Sequence, residues 1–384
     1  MNDWWVFLGA AAVIVLAGSR LSRDGDAIAE RSGLGSAWIG AVLVAGATSL
    51  PELCTDWQAV KQGHRALAVG DLFGSCMANV LLIGLADLCT RDVDVLNRVR
   101  ANQVLVASIG IAMLVLAILG SLSPLRGTLL GIGWAPWIIA LGYFFGMRLL
   151  HVNRGEAVFE EAAEHSEHLK SVPTLQRAAV GFTLASVAIF ATAPFLAASV
   201  AAIAGQLGIS GGFAGMVLLA LTTSLPEIAV SISAARAGSY DMVVGNLLGS
   251  NCFNMAILWA LDLADGPGSL LTGLDGGLLT GGLFAVILTA LVILGILNKS
   301  ENPIRYLEPT AWTLVIVYAV GLWMTYLSEP KQAQGHSAHP PSPPRSIAVV
   351  RSDDAYFPVI RERSRLWLRC SAPGPTPCPR CSRS

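Results

Sequence analysis

The sequence predicts an all-α, polytopic membrane protein of about ten transmembrane helices, arranged as two inverted five-helix repeats. Three observations support this prediction: long apolar segments, a difference in charge between alternate loops, and a motif that occurs twice at a fixed offset. Of the 384 residues, 54% are hydrophobic and 13% are charged, whereas a soluble domain carries roughly 25% charged residues. This composition excludes an ordinary water-soluble enzyme.

Apolar segments recur along most of the chain. A transmembrane helix needs about 20 predominantly apolar residues. Segments that meet or approach this length lie at 4–20, 34–56, 66–89, 101–121, 127–149, 178–204, 210–235, 241–264, 277–297 and 309–328. The first segment lacks a basic flank and a small-residue cleavage site, so we expect a retained helix rather than a signal peptide. The lipid bilayer is therefore the expected surroundings of the chain.

The segments divide the chain into four regions. Residues 1–150 form the first predicted transmembrane repeat and residues 178–328 the second, and a short cytoplasmic linker at 151–177 joins them. Residues 329–384 are predicted to be a disordered tail. Ten of the chain's 19 prolines and nine of its 25 lysine and arginine residues fall within 330–384, and such a composition does not build a packed core.

Loop charges predict the orientation in the membrane. With the N-terminus outside, the inside loops of the body hold 13 lysine and arginine residues, Arg98 among them. The outside loops hold three, namely Lys61, Arg65 and Arg126. Basic residues are enriched on the cytoplasmic side of cell membranes. We therefore expect an integral protein of the cell (inner) membrane with its N-terminus outside, although this places the basic tail outside as well.

A motif occurs twice at an offset of 175 residues. The letters TSLPE occupy 48–52 and again 223–227, and the offset continues without a gap as far as Asp87 and Asp262. Five predicted segments separate the two copies, and because five is odd, the second copy enters the membrane from the opposite side. Inverted repeats of this kind are typical of secondary transporters, whose sites lie near the midplane between the repeats.

Each copy places hydroxyl groups and a glutamate around a proline inside an apolar helix. Pro51 and Pro226 each remove one helical hydrogen bond, and we expect the kinks to loosen the carbonyls of Ala45 and Ala220 as well. In the following helix a serine and an asparagine are four residues apart in both copies, so they share a helix face. The sum is a set of carboxylate, amide, hydroxyl and carbonyl oxygens.

Such an oxygen set favours a hard cation. Soft ligands are nearly absent from it, which disfavours zinc and copper, whereas Ca²⁺ takes about six to eight oxygens and Na⁺ accepts similar ligands. Two glutamates bring a charge near −2, which one Ca²⁺ or several Na⁺ would match. Mutually exclusive occupation of one site is what an exchanger needs, so we expect a transporter without cofactors or enzymatic activity. Local bonds back to the helix are the alternative role for the hydroxyls, and tight packing is the alternative for the glycines.

At these residues the sequence resembles the cation/calcium antiporter superfamily, and most closely its sodium/calcium exchanger branch, over residues 5–328. The matching motifs are GATSLPE at 46–52 with GDLFGSCMAN at 70–79, and LTTSLPE at 221–227 with GNLLGSNCFN at 245–254. The resemblance implies sodium and calcium sites at the repeat centre and exchange of Ca²⁺ for Na⁺. The ligands that it implies are Glu52, Glu227, Asn79, Asn254, Ser75, Ser250, Thr48, Ser49, Thr223, Ser224, Ala45 and Ala220.

Three positions depart from the pattern of that family. Asp71 stands where asparagine is usual, Cys76 replaces another asparagine, and Asn254 stands where many members have aspartate. A third carboxylate near the two motif glutamates faces like charges in a low-dielectric site. We therefore predict Asp71 as a possible proton site, with Ca²⁺/H⁺ antiport as the alternative to Na⁺ coupling. The other explanation is that Asp71 faces a water-filled vestibule or pairs with Arg65.

Two further function classes are weighed against transport. Intramembrane aspartyl proteases pair Tyr-Asp with Gly-x-Gly-Asp. This chain has Tyr240-Asp241 and Gly70-Asp71, but position 68 is alanine, so this class is remote. The residues alone leave a passive channel open, which the inverted repeat disfavours. No binding of nucleic acid and no obligate protein partner is expected.

Overall fold

A computed structural model of the chain describes residues 2–32, 45–89, 95–99, 102–122, 127–152, 173–236, 240–266, 268–298 and 309–328. All of them belong to Met1–Ala333, one of the two compact units into which the chain divides. The predicted tail at 329–384 and most of the predicted linker at 151–177 lie outside the described residues.

Helices make up nearly all of the described structure. They are α1 (Asn2–Ser32), α2 (Ala45–Thr48), α3 (Leu50–Lys61), α4 (Arg65–Cys89), α5 (Val95–Arg98), α6 (Asn102–Leu122), α7 (Trp134–Val152), α8 (Leu175–Leu207), α9 (Gly211–Ala214), a π-helix (Gly215–Leu219), α10 (Ala220–Thr223), α11 (Leu225–Arg236), α12 (Tyr240–Asp265), α13 (Gly276–Leu297) and α14 (Pro309–Leu327). Two strands, β1 (Thr128–Leu129) and β2 (Ile132–Gly133), form an antiparallel hairpin.

Seven of the described helices are long and apolar enough to cross a membrane. An eighth crossing results when Gly211–Thr223 and Leu225–Arg236, which meet at an angle of 43°, are taken as one span. Helix α7 contributes a shorter apolar stretch, Trp134–Leu150. The segment predicted at 34–56 is described only from residue 45 onward. The all-α class and the membrane character are therefore confirmed, while the count of ten crossings stays a prediction.

The segment predicted at 127–149 begins later than expected. Residues 128–133 form the β-hairpin, so helix α7 begins only at Trp134. Leu130 and Gly131 make the turn with φ of 56° and 83°, in the left-handed region that hairpin turns of two residues require. The sequence did not predict this turn because hydropathy does not distinguish a short hairpin from a helical turn.

Helices α4 and α12 form the centre of the fold. In their apolar stretches 83% and 72% of the residues are buried, against 22–44% in the other five long helices. Glycines allow the backbones to meet, because a Cβ atom at Gly70 would overlap the carbonyl oxygen of Gly212, and one at Gly74 would overlap the backbone of Met216. Close packing, the alternative that the sequence left open, therefore explains these two glycines.

The outer faces carry large apolar side chains. Phe144 is 73% exposed, Phe145 68% and Trp323 67%. Exposed apolar residues of this size are costly in water and are expected where helices face lipid. This surface agrees with a chain that is an integral membrane protein.

Two repeat-related aspartates fix the chain after the central helices. Asp87 Oδ1 accepts a hydrogen bond from the backbone N–H of Val95 at 2.7 Å. Asp262 Oδ1 likewise accepts one from Leu270 N–H, again eight residues further on. Asp262 Oδ2 also accepts from Gly133 N–H at 2.6 Å, which ties α12 to the hairpin. The repeat in the sequence is thus accompanied by a repeated structural contact.

Candidate cation-binding site

Both repeats interrupt the helix that carries the TSLPE motif at the same residue. Ser49 lies between α2 and α3 with φ −88° and ψ 11°, and Ser224 lies between α10 and α11 with φ −82° and ψ 8°. Pro51 and Pro226 follow two residues later and cannot donate a backbone hydrogen bond. The motif therefore builds nearly the same helix break twice.

The carbonyl groups of Ala45 and Ala220 remain hydrogen-bonded at these breaks. Ala45 O accepts from Ser49 N at 3.0 Å and from Thr48 Oγ1 at 3.1 Å, and Ala220 O accepts from Ser224 N at 3.0 Å. The expected loosening of these carbonyls is thus not seen here, because the bond that closes the preceding turn is kept. A cation-binding role for either carbonyl stays a prediction.

The two serines at the breaks connect the two repeats reciprocally. Ser49 Oγ donates to Glu227 Oε1 at 3.3 Å, and Ser224 Oγ donates to Glu52 Oε1 at 3.3 Å. All four side chains are buried. Glu52 Oε2 and Glu227 Oε2 have no hydrogen-bond partner in the described part of the chain. Each glutamate therefore keeps one oxygen available to a ligand.

Further hydroxyl groups complete the contact between the repeats. Ser224 Oγ lies 3.1 Å from Ser75 Oγ, and Thr48 Oγ1 lies 3.4 Å from Ser250 Oγ. Thr48 also bonds back to its own helix, which is the local role that the sequence left open. Glu52, Ser75 and Ser224 thus form one group of contacts between the repeats, and Thr48 and Ser250 form a second contact between them.

The two motif asparagines are held differently. Asn79 Nδ2 donates to Asn251 Oδ1 at 2.9 Å, and Asn251 Nδ2 donates to the carbonyl of Cys76 at 3.1 Å. This leaves Asn79 Oδ1 without a partner. Neither side-chain amide atom of Asn254 has a hydrogen-bond partner among the described residues, although the residue is fully buried. Cys76 stands at the position in the first repeat that Asn251 holds in the second.

Asp71 points into the protein and has no basic partner among the residues that the structure describes. It is fully buried, and Thr223 Oγ1 lies 3.2 and 3.4 Å from its two carboxyl oxygens. Arg65 instead pairs with Asp265 at 2.5 Å. The suggested pairing of Asp71 with Arg65, and its exposure to a water-filled vestibule, are therefore wrong, because burial separates Asp71 from both water and the guanidinium group.

Sequence reasoning missed Asp56 and the orienting role of Asn251. Asp56 is fully buried, and its carboxyl group contacts that of Asp71. Its spacing of four residues from Glu52 puts both on one helix face, and this signal could have found it. Nothing in the spacing of Asn251 indicates that its side chain would reach across to the first repeat.

Among the described residues, the buried ionisable side chains of the site are acidic and none is basic. Four fully buried carboxyl groups come from Glu52, Asp56, Asp71 and Glu227. No lysine, arginine or histidine is buried in the described part of the chain. Groups of three or more His, Cys, Asp or Glu side chains in metal-binding geometry are also not found in these residues. The arrangement is suited to hard cations held by carboxylate, hydroxyl and amide oxygens, since uncompensated buried carboxylates are costly.

A membrane protein with a buried, acidic, oxygen-lined cluster between two sequence repeats has the features of a secondary cation transporter. The model of the family described as "Sodium/calcium exchanger protein" matches residues 2–146 and 177–327. The chain belongs to this family.

Relatives and solved structures agree with the family. The chain is 26% identical over 286 residues to the putative antiporter CaxA of Alkalimonas amylolytica, which covers 73% of this chain and 86% of the relative. It is 26% identical over 271 residues to the sodium/calcium exchanger MaX1 of Methanosarcina acetivorans, covering 62% and 76%. The fold is similar to that of the sodium-calcium exchanger NCX_Mj, with a TM-score of 0.54 and 22% identity over 84% of this chain and 98% of the other.

Proposed function

We propose that the protein is a secondary active antiporter that exchanges Ca²⁺ for Na⁺ across the cell (inner) membrane through ten crossings, with its N-terminus outside. The observation that carries the proposal is the reciprocal pair of serine–glutamate bonds between the repeats, which leaves one free carboxylate oxygen on each of Glu52 and Glu227. The family membership and the names of the relatives support it. The inner-membrane location is supported by the relative YrbG, an inner membrane protein of Escherichia coli that is 29% identical over 67% of this chain and 78% of its own length.

The charge of the site accounts for mutually exclusive binding. The two glutamates together match one Ca²⁺ or several Na⁺, and hydroxyl and amide oxygens supply neutral ligands for either. Exchange of three Na⁺ for one Ca²⁺ moves one net charge, and one charge crossing 100 mV is worth about 2.3 kcal/mol. The membrane potential would therefore help to expel Ca²⁺.

Coupling to H⁺ is the second candidate. The observation that favours it is the contact between Asp71 and Asp56, two buried carboxyl groups without a basic partner in the described residues. Purified protein in sealed vesicles separates the candidates. Radiolabelled Ca²⁺ uptake driven by an outward Na⁺ gradient at equal pH supports the proposal, and uptake driven only by a pH gradient replaces it with the second candidate. Movement of Ca²⁺ down its own gradient, with neither a Na⁺ nor a pH gradient imposed, would indicate a channel.

The inverted topology has a test of its own. Lys61 and Arg98 are predicted to lie on opposite sides of the membrane. Single cysteines at these two positions, in a protein cleared of its other thiols, should react with a membrane-impermeant maleimide from opposite faces of intact cells. Labelling from one face would contradict both the orientation and the inverted repeat.

A further inference from the structure

A second acidic position lies beside the central glutamates, and it occurs in the first repeat only. Asp56 on α3 and Asp71 on α4 are both fully buried, and their carboxyl groups contact each other. Both oxygens of Asp56 lack a hydrogen-bond donor in the described part of the chain. Apart from a proton that the two carboxyl groups could share, no donor among the described residues accounts for the burial of Asp56.

Two buried carboxyl groups in contact require either a shared proton or another cation between them. Both are acceptors when ionised, and at such a separation in a low-dielectric interior they cannot both stay ionised unless a cation neutralises them. No buried basic side chain among the described residues supplies that charge. The charge must therefore come from solution.

The atoms around Asp71 are rich in oxygen and poor in donors. Thr223 Oγ1 lies 3.2 and 3.4 Å from the Asp71 oxygens, 3.1 Å from Leu219 O and 3.5 Å from Ala220 O. A hydroxyl group has one proton, so it can serve only one of these acceptors, of which Ala220 O also accepts from Ser224 N. Leu219 is the last residue of the π-helix, and π-helical turns are frequent at functional sites. Such a surplus of oxygen suits a metal cation.

Close packing of α4 on the π-helix fixes this arrangement. A Cβ atom at Gly215 would overlap the carbonyl oxygen of Leu67, and one at Gly74 would overlap the backbone of Met216. The two backbones are therefore in direct contact on both sides of Asp71. The backbone of Asp71 is therefore held beside the π-helix before any ligand arrives.

The second repeat lacks the acidic pair. The offset of 175 residues places Ser231 at the position of Asp56 and Asn246 at the position of Asp71. Both are neutral, so the two additional charges of the pseudo-symmetric site both come from the first repeat. The pair therefore does not belong to the ligand set that the two repeats share.

We propose that Asp56, Asp71 and the Thr223 hydroxyl form an additional binding position for a monovalent hard cation of the Na⁺ class. Ca²⁺ takes about six to eight oxygens, more than two carboxylates and one hydroxyl provide, whereas a monovalent ion can be held by fewer ligands. The physiological meaning of this position rests on the proposed function, because it would raise the number of Na⁺ bound for each Ca²⁺ exchanged.

Equilibrium binding of radiolabelled Na⁺ to the purified full-length protein tests this position apart from transport. In the Glu52→Gln/Glu227→Gln background the central carboxylates are gone, and we expect about one Na⁺ to remain bound per chain. Adding Asp56→Ser and Asp71→Asn, the residues that the second repeat carries, should abolish that binding. The matched control adds Ser231→Ala and Asn246→Ala instead, at the same positions of the second repeat, and should retain it.

A measurement on the unmodified protein guards against variants that fail to fold. Crystals soaked with Tl⁺, a strongly scattering monovalent cation, should show an anomalous peak between the carboxyl groups of Asp56 and Asp71. No bound Na⁺ in the glutamine background, equal binding with and without the acidic pair, or no Tl⁺ peak would overturn the inference, including the case in which a proton occupies the pair. Retained Na⁺ binding in the double glutamine variant, together with no Na⁺-driven Ca²⁺ exchange by the unsubstituted protein, would instead refute the proposed function and leave this position standing.

Discussion

In the first repeat Ser49 donates to Glu227 of the second, and in the second repeat Ser224 donates to Glu52 of the first, both at 3.3 Å. On the helices that follow, α4 and α12, the two repeats differ. Asn251 of the second repeat orients Asn79 of the first, whereas the matching residue of the first repeat is Cys76.

The two repeats therefore share some contacts and differ at other positions. Each serine–glutamate bond joins one repeat to the other, so a change in one half alters a contact of both halves. The positions of Asp56 and Asp71 differ between the repeats and carry no such reciprocal contact. Cys76 and Asn251 also differ, although each side chain donates to the other's backbone carbonyl. The second repeat therefore contributes neutral groups where the first contributes charge.

Removing either central carboxylate should have the largest effect. Glu52→Gln and Glu227→Gln each delete one of the two charges shared by the repeats, and we expect Ca²⁺ exchange to be abolished in a folded protein. Loss of a buried charged partner costs about 3–5 kcal/mol, so Ca²⁺ binding should weaken by at least about 100-fold. Radiolabelled Ca²⁺ uptake into vesicles measures this, with Thr289→Val, a buried hydroxyl that bonds to Ala285 O, as the control. Near-normal exchange in either glutamine variant would remove the basis of the proposed site.

Asp262→Asn should destabilise the fold. Asp262 accepts hydrogen bonds from the backbone N–H groups of Gly133 and Leu270, and an asparagine NH₂ group would leave one of these donors unsatisfied. We expect the free energy of unfolding to fall by about 1–3 kcal/mol, read as a lower melting temperature in detergent. Asp3→Asn, at an exposed contact with Gln206, should leave it unchanged. An unaltered melting temperature for Asp262→Asn would show that these bonds contribute little.

Exchange of residues between the repeats tests the asymmetry at Asn251 directly. Asn251→Cys installs the residue of the first repeat and removes the partner that orients Asn79, so Ca²⁺ affinity should fall roughly fivefold, as expected for a hydrogen bond worth about 1 kcal/mol. Cys76→Asn installs the residue of the second repeat and supplies a potential partner for Asn254, so affinity should hold or increase. Both are measured by Ca²⁺ binding isotherms. Equal isotherms for Asn251→Cys and the parent would mean that Asn79 needs no orienting partner.

The smallest effect is expected on pH dependence. Protonation of Asp71 would remove a negative charge from the site, so exchange by the parent should decline as the pH falls from roughly 8 to 5. Asp71→Asn, which restores the residue of the second repeat, cannot titrate and should give a flatter profile after normalisation. Superimposable profiles would show that Asp71 is not the titrating group, and Ser231→Ala provides a matched variant in the other repeat.

The residue pattern alone determined the class and the repeat. Apolar segments of membrane length predict helices because an unpaired backbone group is too costly in lipid, and all described long segments are helices. The duplicated TSLPE motif identified both glutamates before any contact was known. Hydropathy failed at residues 127–133, where a hairpin turn depends on backbone conformation rather than on polarity.

Only the tertiary structure decided which oxygens meet. Asp56 and Asp71 are 15 positions apart on different helices, so their contact depends on how α3 packs against α4. Asn251 reaches Asn79 across 172 residues. A sequence fixes the spacing of side chains along one helix, because helical geometry is local. The distance between helices follows from packing of the whole chain, so the acidic pair and the oriented asparagine became visible only in three dimensions.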